Sequence, residues 1–312
     1  MRTFTRDEVE KAVDRQALIA ALEAGFAAYS RGEVNVPPVG YLKMDAPPGD
    51  VHIKYGHRKG DDVFVIKIAS GFYDNPKSGL PTGNGMMLVF SAKTGEPIAT
   101  LLDEACLTDL RTAAAGAVAA RHLGPKSVTM IGIIGGGVQA RLQLDFLRHV
   151  TTCRNAVVWA RRPEQAKALR VEGFDIEVVP SVSDVARRCN LIVTTTPARE
   201  ALLMAADVQP GTHVTAVGAD APGKQELDAA LFRKAAIRAV DSRSQCFDHG
   251  DAFHALKAAV LAEKDFVELG EVIVNPALGR TRQDQITIAD LTGLAMQDIE
   301  IAKLVCAKLM AK

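Results

Sequence analysis

A run of glycines placed where a strand gives way to a helix restricts this chain to few folds. The apolar segment SVTMIGIIG leads directly into Gly135-Gly136-Gly137-Val138-Gln139-Ala140, and helical spacing begins there. This is G-x-G-x-x-A in the strand-turn-helix setting that a dinucleotide pyrophosphate needs. Gly135 permits the tight turn, Gly137 lets phosphate approach the backbone, and Ala140 lets the helix lie close. The amides of Val138 and Gln139, at the helix N-terminus, are the donors. A glycine-rich turn in some other α/β protein is the alternative. SVTMIGIIG, AVVWA, IEVVP, NLIVTTT, HVTAVGA and AIRAVDS then follow one another, each read as followed by a helix. Such alternation predicts an α/β protein with a doubly wound parallel sheet. Thr195, Val217 and Gly218 stand at the ends of two of these strands and are cofactor candidates by position.

Ahead of residue 126 the pattern differs. Val9, Val13, Leu18, Leu22 and Phe26 recur at helical spacing after an N-cap at Thr5, which predicts two opening helices. Residues 34–102 hold short β-rich runs (VHIKY, DVFVIKIAS, GMMLVFSA, PIATLLD) between Pro/Gly/Asn turns, a strand-rich antiparallel module. LTDLRTAAAGAVAARHLGP reads as a helix with Thr108 as N-cap, an alanine-dense body and a Gly124-Pro125 stop. The tail gives a short strand, QITIA, and a helix from about Leu294 to Met310 that packs back on the first domain. The expected domains are 1–125 with 294–312, α+β, and 126–293, dinucleotide-binding.

Composition removes several classes of function. Thirty-seven basic and thirty-seven acidic residues leave no global field to attract nucleic acid or an anionic membrane. Five scattered cysteines, never in a C-x-x-C pair, argue against a disulfide framework or a zinc site. MRTFTRDEVEKAVD lacks a secretory apolar core, and no window reaches the roughly 18 apolar residues that span a bilayer. A cytoplasmic protein with a small-molecule partner is expected.

Several side chains carry chemistry. Lys67 interrupts the apolar strand FVIKIA, so it either reaches water or faces a polar cavity. Buried, it would have a lowered pKa suited to polarising a carbonyl or imine. Arg111, read as first-turn because of the Thr108 cap, sits where the helix dipole prefers anions. It is either a surface arginine or the bidentate grip on a substrate carboxylate. Asp220 follows HVTAVGA at the carboxyl edge of the parallel sheet, either as a plain loop residue or as a group that meets an iminium and exchanges its proton. Arg161 and Arg162 end the second strand, where NAD-selective sites offer an acid to the ribose. They are solvated residues or receive a 2′-phosphate, which favours NADP(H). His52, Lys54, His57, Arg58 and Lys59 form either a solvated hairpin or, through one or two of them, a grip on a second carboxylate. Asp248, His249, Asp251 and His254 read as capping and solvated residues, and no metal site is expected.

The segments FVIKIASGFYDNPKSGLPTGNGMMLVF, KTGEPIATLLDEACLTDLRTAAAGAVAA, IGIIGGGVQARLQ, VTAVGADAPGKQEL and ITIADLTGLAMQD resemble the ornithine cyclodeaminase/μ-crystallin family across nearly the whole chain. The resemblance implies a homodimer, with a Rossmann domain beside a substrate-binding and dimerisation domain. It implies that Lys67 and Arg111 bind the substrate carboxylate, that Thr112 contacts cofactor phosphate, and that Asp220 is the catalytic acid/base. The family includes cyclodeaminases, alanine dehydrogenase, ketimine and iminosuccinate reductases, proteins of ectoine breakdown and a hormone-binding lens protein, so membership alone does not choose the reaction. Members often place an arginine after the early proline; here Val39 stands there and Lys43 is the nearest cation. Ornithine-binding members carry an acidic residue in the strand before the lysine strand, where this chain has Lys54, a cation that repels an ammonium tail and attracts a carboxylate. The expectation is NAD(P)H-dependent reduction of a small α-imino acid, with iminosuccinate as an example. Cyclodeamination with recycled NAD and non-catalytic ligand binding are the rivals.

Overall fold

A computed structural model describes residues 1–72 and 74–311. The chain divides into two units, Met1–Arg111 with Leu294–Lys312, and Thr112–Gly293. The division falls inside the helix Cys106–Leu123, whereas the boundary expected at 125/126 lies just past that helix.

The first unit is built on a mixed sheet. Among the described residues its strands run in the order Arg2–Phe4, Pro97–Leu101, Gly83–Ser91, Val63–Phe72, Pro48–Arg58 and Val34–Asn35, with Gly40–Asp45 also pairing to Pro48–Arg58. Among these described pairings, only that of Arg2–Phe4 is parallel. Strand alternation puts Val65, Lys67, Met87 and Val89 on the buried face. Against it lie the helices Arg15–Ser30 and Ala295–Met310, which bury Leu18, Leu22, Phe26, Met296 and Ile299. The two helices pack tightly at Gly25, where any Cβ would collide with the Met296 sulfur. Glu8 reaches back to the Thr5 amide at 2.8 Å, fixing the start of Arg6–Ala12.

The second unit is a parallel sheet of eight described strands. Their order is Asp175–Val178, Asn155–Trp159, Ile131–Ile134, Leu191–Thr194, His213–Ala216, Thr287–Asp290, Ile237–Val240 and Val267–Glu268. From Ile131–Ile134 the chain winds first one way, then returns to wind the other, so the topological switch point lies between Ile131–Ile134 and Leu191–Thr194. This is the doubly wound Rossmann arrangement. One expectation is corrected here: no helix follows Leu191–Thr194. Arg199–Leu203 is a strand paired in parallel with Gln225–Leu227, although Ala, Glu and Leu favour helix. Burial of Leu203 and Leu227 in the core outweighs that local propensity.

Candidate active site

In the first unit, Lys67 and Arg111 converge on one carboxylate. Lys67 projects from the buried face of its strand, only 3% exposed, with Nζ 3.0 Å from Asp298 Oδ2. Arg111 donates from Nε to Asp298 Oδ1 at 3.0 Å and from Nη1 to Gln297 Oε1 at 2.8 Å. Asp298 and Gln297 lie in the first turn of Ala295–Met310 and are buried. Burial drives the Lys67 pKa down to about 7; Asp298 opposes this, while Arg111 and Lys54 add to it. Burial also works against the charge on Asp298, yet Lys67 and Arg111 hold its carboxyl below the ordinary range. Lys67, Arg111 and the partly buried Lys54 outnumber the carboxylates of Asp298 and the buried Asp103 that act on this cluster, which leaves the site net positive. An anionic ligand group would neutralise it at short range.

The reading of Arg111 as a first-turn residue is corrected. The helix begins at Cys106, because Asp103 Oδ2 accepts the Leu107 amide at 3.0 Å. Thr108 is therefore inside the helix, and Arg111 is in its second turn. The guanidinium is explained by Asp298 and Gln297, not by the helix dipole. The backbone before the helix is left-handed at Glu104 (φ 48°) and Ala105 (φ 68°), strain of the kind that collects at functional sites. Lys54 stands directly across from Lys67 in the strand register and is partly buried. Lys43 is not brought to this cluster: it is exposed and pairs with Asp45 at 2.8 Å.

In the second unit, the glycine turn lies at the switch point. Gly135 has φ +136°, and a Cβ there would collide with Thr195 Oγ1. Gly136 faces Ala160 and Gln165 with no room for a side chain, while a Cβ at Gly137 would meet nothing within 4 Å. Gly137 caps the helix Val138–Leu147, Val138 is exposed, and Ala140 is fully buried. Open space before a helix N-terminus fits a pyrophosphate. Gly135→Ala is expected to lower Tm by about 5–10 °C through backbone strain and the clash. A thermal melt matching the parent would refute that account of the turn.

Arg161 and Arg162 are exposed just past the end of Asn155–Trp159. Thr195 donates its amide to the Ile134 carbonyl at 2.8 Å, and Val217 donates to Thr194 at 3.1 Å. Gly218 donates its amide to Glu226 Oε2 at 2.7 Å. The Thr112 carbonyl accepts from Gln143 Nε2 at 3.3 Å, where the helix Cys106–Leu123 is kept close by Gly116. Asp220 lies in the loop after His213–Ala216, its side chain 52% exposed and 2.5 Å from Lys224 Nζ.

Asp251 requires a correction, since it is fully buried, not solvated. Its Oδ1 accepts the amides of Glu226 and Leu227 at 2.8 and 2.9 Å, because two strand-end amides need a buried acceptor. Among the described residues no group of three or more His, Cys, Asp or Glu is arranged to hold a metal ion. No described helix is long and apolar enough to cross a membrane. Asp298, Gln297 and Glu226 were not singled out from sequence. Asp298 and Gln297 fall within ITIADLTGLAMQD, and Glu226 within VTAVGADAPGKQEL, but their partners are set by tertiary structure.

The chain is 44% identical over 315 residues to an uncharacterized cyclodeaminase of Sinorhizobium fredii, covering 97% of this chain and 94% of that one. The fold superposes on Thermococcus litoralis Δ1-pyrroline-2-carboxylate reductase in complex with NADH and L-proline, with TM-score 0.94, 29% identity, and coverage of 100% and 98% of the two chains. An archaeal alanine dehydrogenase dimer with bound NAD gives TM-score 0.92 and 35% identity, covering 100% and 96%. The iminosuccinate reductase of Paracoccus denitrificans in complex with NAD+ gives 0.90 and 29%, covering 100% and 97%. Residues 1–312 match the ornithine cyclodeaminase/mu-crystallin family, and the chain belongs to that family.

Proposed function

We propose that this protein is an NAD(P)H-dependent oxidoreductase that reduces the C=N group of a small α-imino acid to the amino acid, and runs reversibly as an amino-acid dehydrogenase. The observation that carries this reading is the pair of buried cations, Lys67 and Arg111, sharing the single carboxylate of Asp298. Desolvating two cations is costly, and a substrate carboxylate offsets that cost. The imino-acid and amino-acid relatives with bound NADH or NAD support the same reading. When bound, the nicotinamide supplies the hydride. Lys67 and Arg111 fix the α-carboxylate, and Asp220, ionised, stabilises the iminium and manages its proton.

Lys54, adding positive charge beside Lys67, supports a dicarboxylic substrate such as iminosuccinate. The test is loss of reduced-cofactor absorbance with ammonia and oxaloacetate, pyruvate or glyoxylate. Fastest loss with oxaloacetate is expected, and no loss with any of them would contradict the reading.

The exposed Arg161 and Arg162 support a preference for NADP(H), since arginines rather than an acidic residue directly follow the strand Asn155–Trp159 and Ala160, where a ribose diol would be received. Replacing both with Ala should raise KM for NADPH roughly ten-fold or more and leave that for NADH within about two-fold. Equal effects on both coenzymes would remove these arginines from coenzyme selection. A homodimer is supported by large apolar side chains left exposed on the first unit, Tyr41, Leu42, Ile53, Tyr55 and Leu80.

A further inference from the structure

Glu226 is a fully buried carboxylate in the strand Gln225–Leu227, and it accepts hydrogen bonds from Thr194 at the end of one strand, Thr196 just past it, and Gly218 just past a neighbouring strand. Oε1 accepts the Thr196 amide at 2.6 Å and the Thr196 hydroxyl at 2.8 Å; Oε2 accepts the Gly218 amide and the Thr194 hydroxyl, both at 2.7 Å. These donors lie at the carboxyl ends of Leu191–Thr194 and His213–Ala216, two adjacent strands on the far side of the switch point from the second strand. The loops meet so closely that a Cβ at Gly218 would collide with the Thr196 carbonyl. Glu226 is itself held, its amide donating to Asp251 Oδ1 at 2.8 Å.

In a doubly wound fold the dinucleotide lies across the carboxyl ends of the strands, its adenine half over the first two and its nicotinamide half over those beyond the switch point. We propose that Glu226 is a positioning residue for the nicotinamide half of the cofactor, locking the 194–196 and 217–218 loops into one surface. This rests on the cofactor reading above.

The chemistry requires a carboxylate. Each oxygen of Glu226 accepts a backbone N–H, and a backbone N–H cannot turn into an acceptor. A glutamine amide has only one acceptor oxygen, so in either orientation its NH2 faces the Thr196 amide or the Gly218 amide. One loop is then released. The adenine half, held by the Gly135–Ala140 turn, is untouched.

The test is direct binding of NADH and of ADP-ribose, a probe of the adenine half alone, to the full-length Glu226→Gln protein and its parent. The expected result is a rise in the NADH dissociation constant of about ten-fold or more with ADP-ribose within about two-fold. Equal weakening of both probes would make Glu226 a general support of the fold, and unchanged NADH binding would overturn the proposal outright. Failure of the parent to bind either probe would instead refute the cofactor reading. Should Glu226→Gln fail to fold, Thr194→Val decides: the Thr194 side chain is fully buried in the strand and bonds Glu226, so its loss should weaken NADH several-fold and spare ADP-ribose. NADH binding equal to the parent's would overturn the proposal.

Discussion

Lys67→Met is expected to lower kcat/KM for the imino-acid substrate about a thousand-fold while leaving the NADH dissociation constant unchanged. Methionine nearly preserves the volume of a side chain that is only 3% exposed, so packing against the sheet is retained. What disappears is the ammonium. Asp298 keeps Arg111 at 3.0 Å, so that pair is neutral and the buried ammonium that would meet the α-carboxylate is gone. Losing one partner of a buried charge pair costs roughly 4 kcal/mol, which is about three powers of ten. A loss below ten-fold would show that the carboxylate is held elsewhere.

The same lysine sets a pH dependence. Its pKa is brought down to about 7, so the free enzyme binds substrate with a charged Lys67 below that pH and a neutral one above it. Because kcat/KM reports the free enzyme, it should fall as pH rises through about 7, and this limb should be absent from Lys67→Met.

Asp220→Asn is expected to cut kcat by about 10² to 10⁴, the range that a positioned proton-transfer group supplies, with cofactor affinity unchanged. Asp220 is about half exposed and bonded to Lys224, so the amide disturbs no buried packing, and the melting temperature should not move. Asparagine keeps the shape of the side chain but can neither carry the charge that pairs with an iminium nor hold its proton. Turnover equal to that of the parent would remove Asp220 from the mechanism.

The parts of this account that were legible in the sequence are those governed by local pattern. The glycine turn, the alternation of strand and helix, and a lysine interrupting an apolar strand are each decided within a dozen residues or so. The partner that gives Lys67 its meaning, Asp298, is 231 positions away, and no periodicity points to it. Arg111 owes its place to tertiary structure and not to the helix dipole: Thr108 resembles an N-cap, whereas Asp103 fixes the helix start upstream. Asp251 has the appearance of a solvated helix-start residue because nothing local reveals that Glu226 and Leu227 will present their amides to it. The Arg199–Leu203 strand failed in the same way, its helix-forming residues drawn into a pairing with Gln225–Leu227. In each case a backbone group or charge brought in from far along the chain overrode a local preference.

Hydride delivery to the α-carbon of an imino acid can be followed by supplying reduced cofactor deuterated at the transferring C4 position, with oxaloacetate and ammonia, and analysing the amino acid formed by mass spectrometry. One deuterium at the α-carbon and stoichiometric formation of oxidised cofactor are expected. No amino acid formed and the deuterium retained in unoxidised cofactor, together with ammonia release from ornithine without net cofactor change, would contradict this expectation and identify a cyclodeaminase.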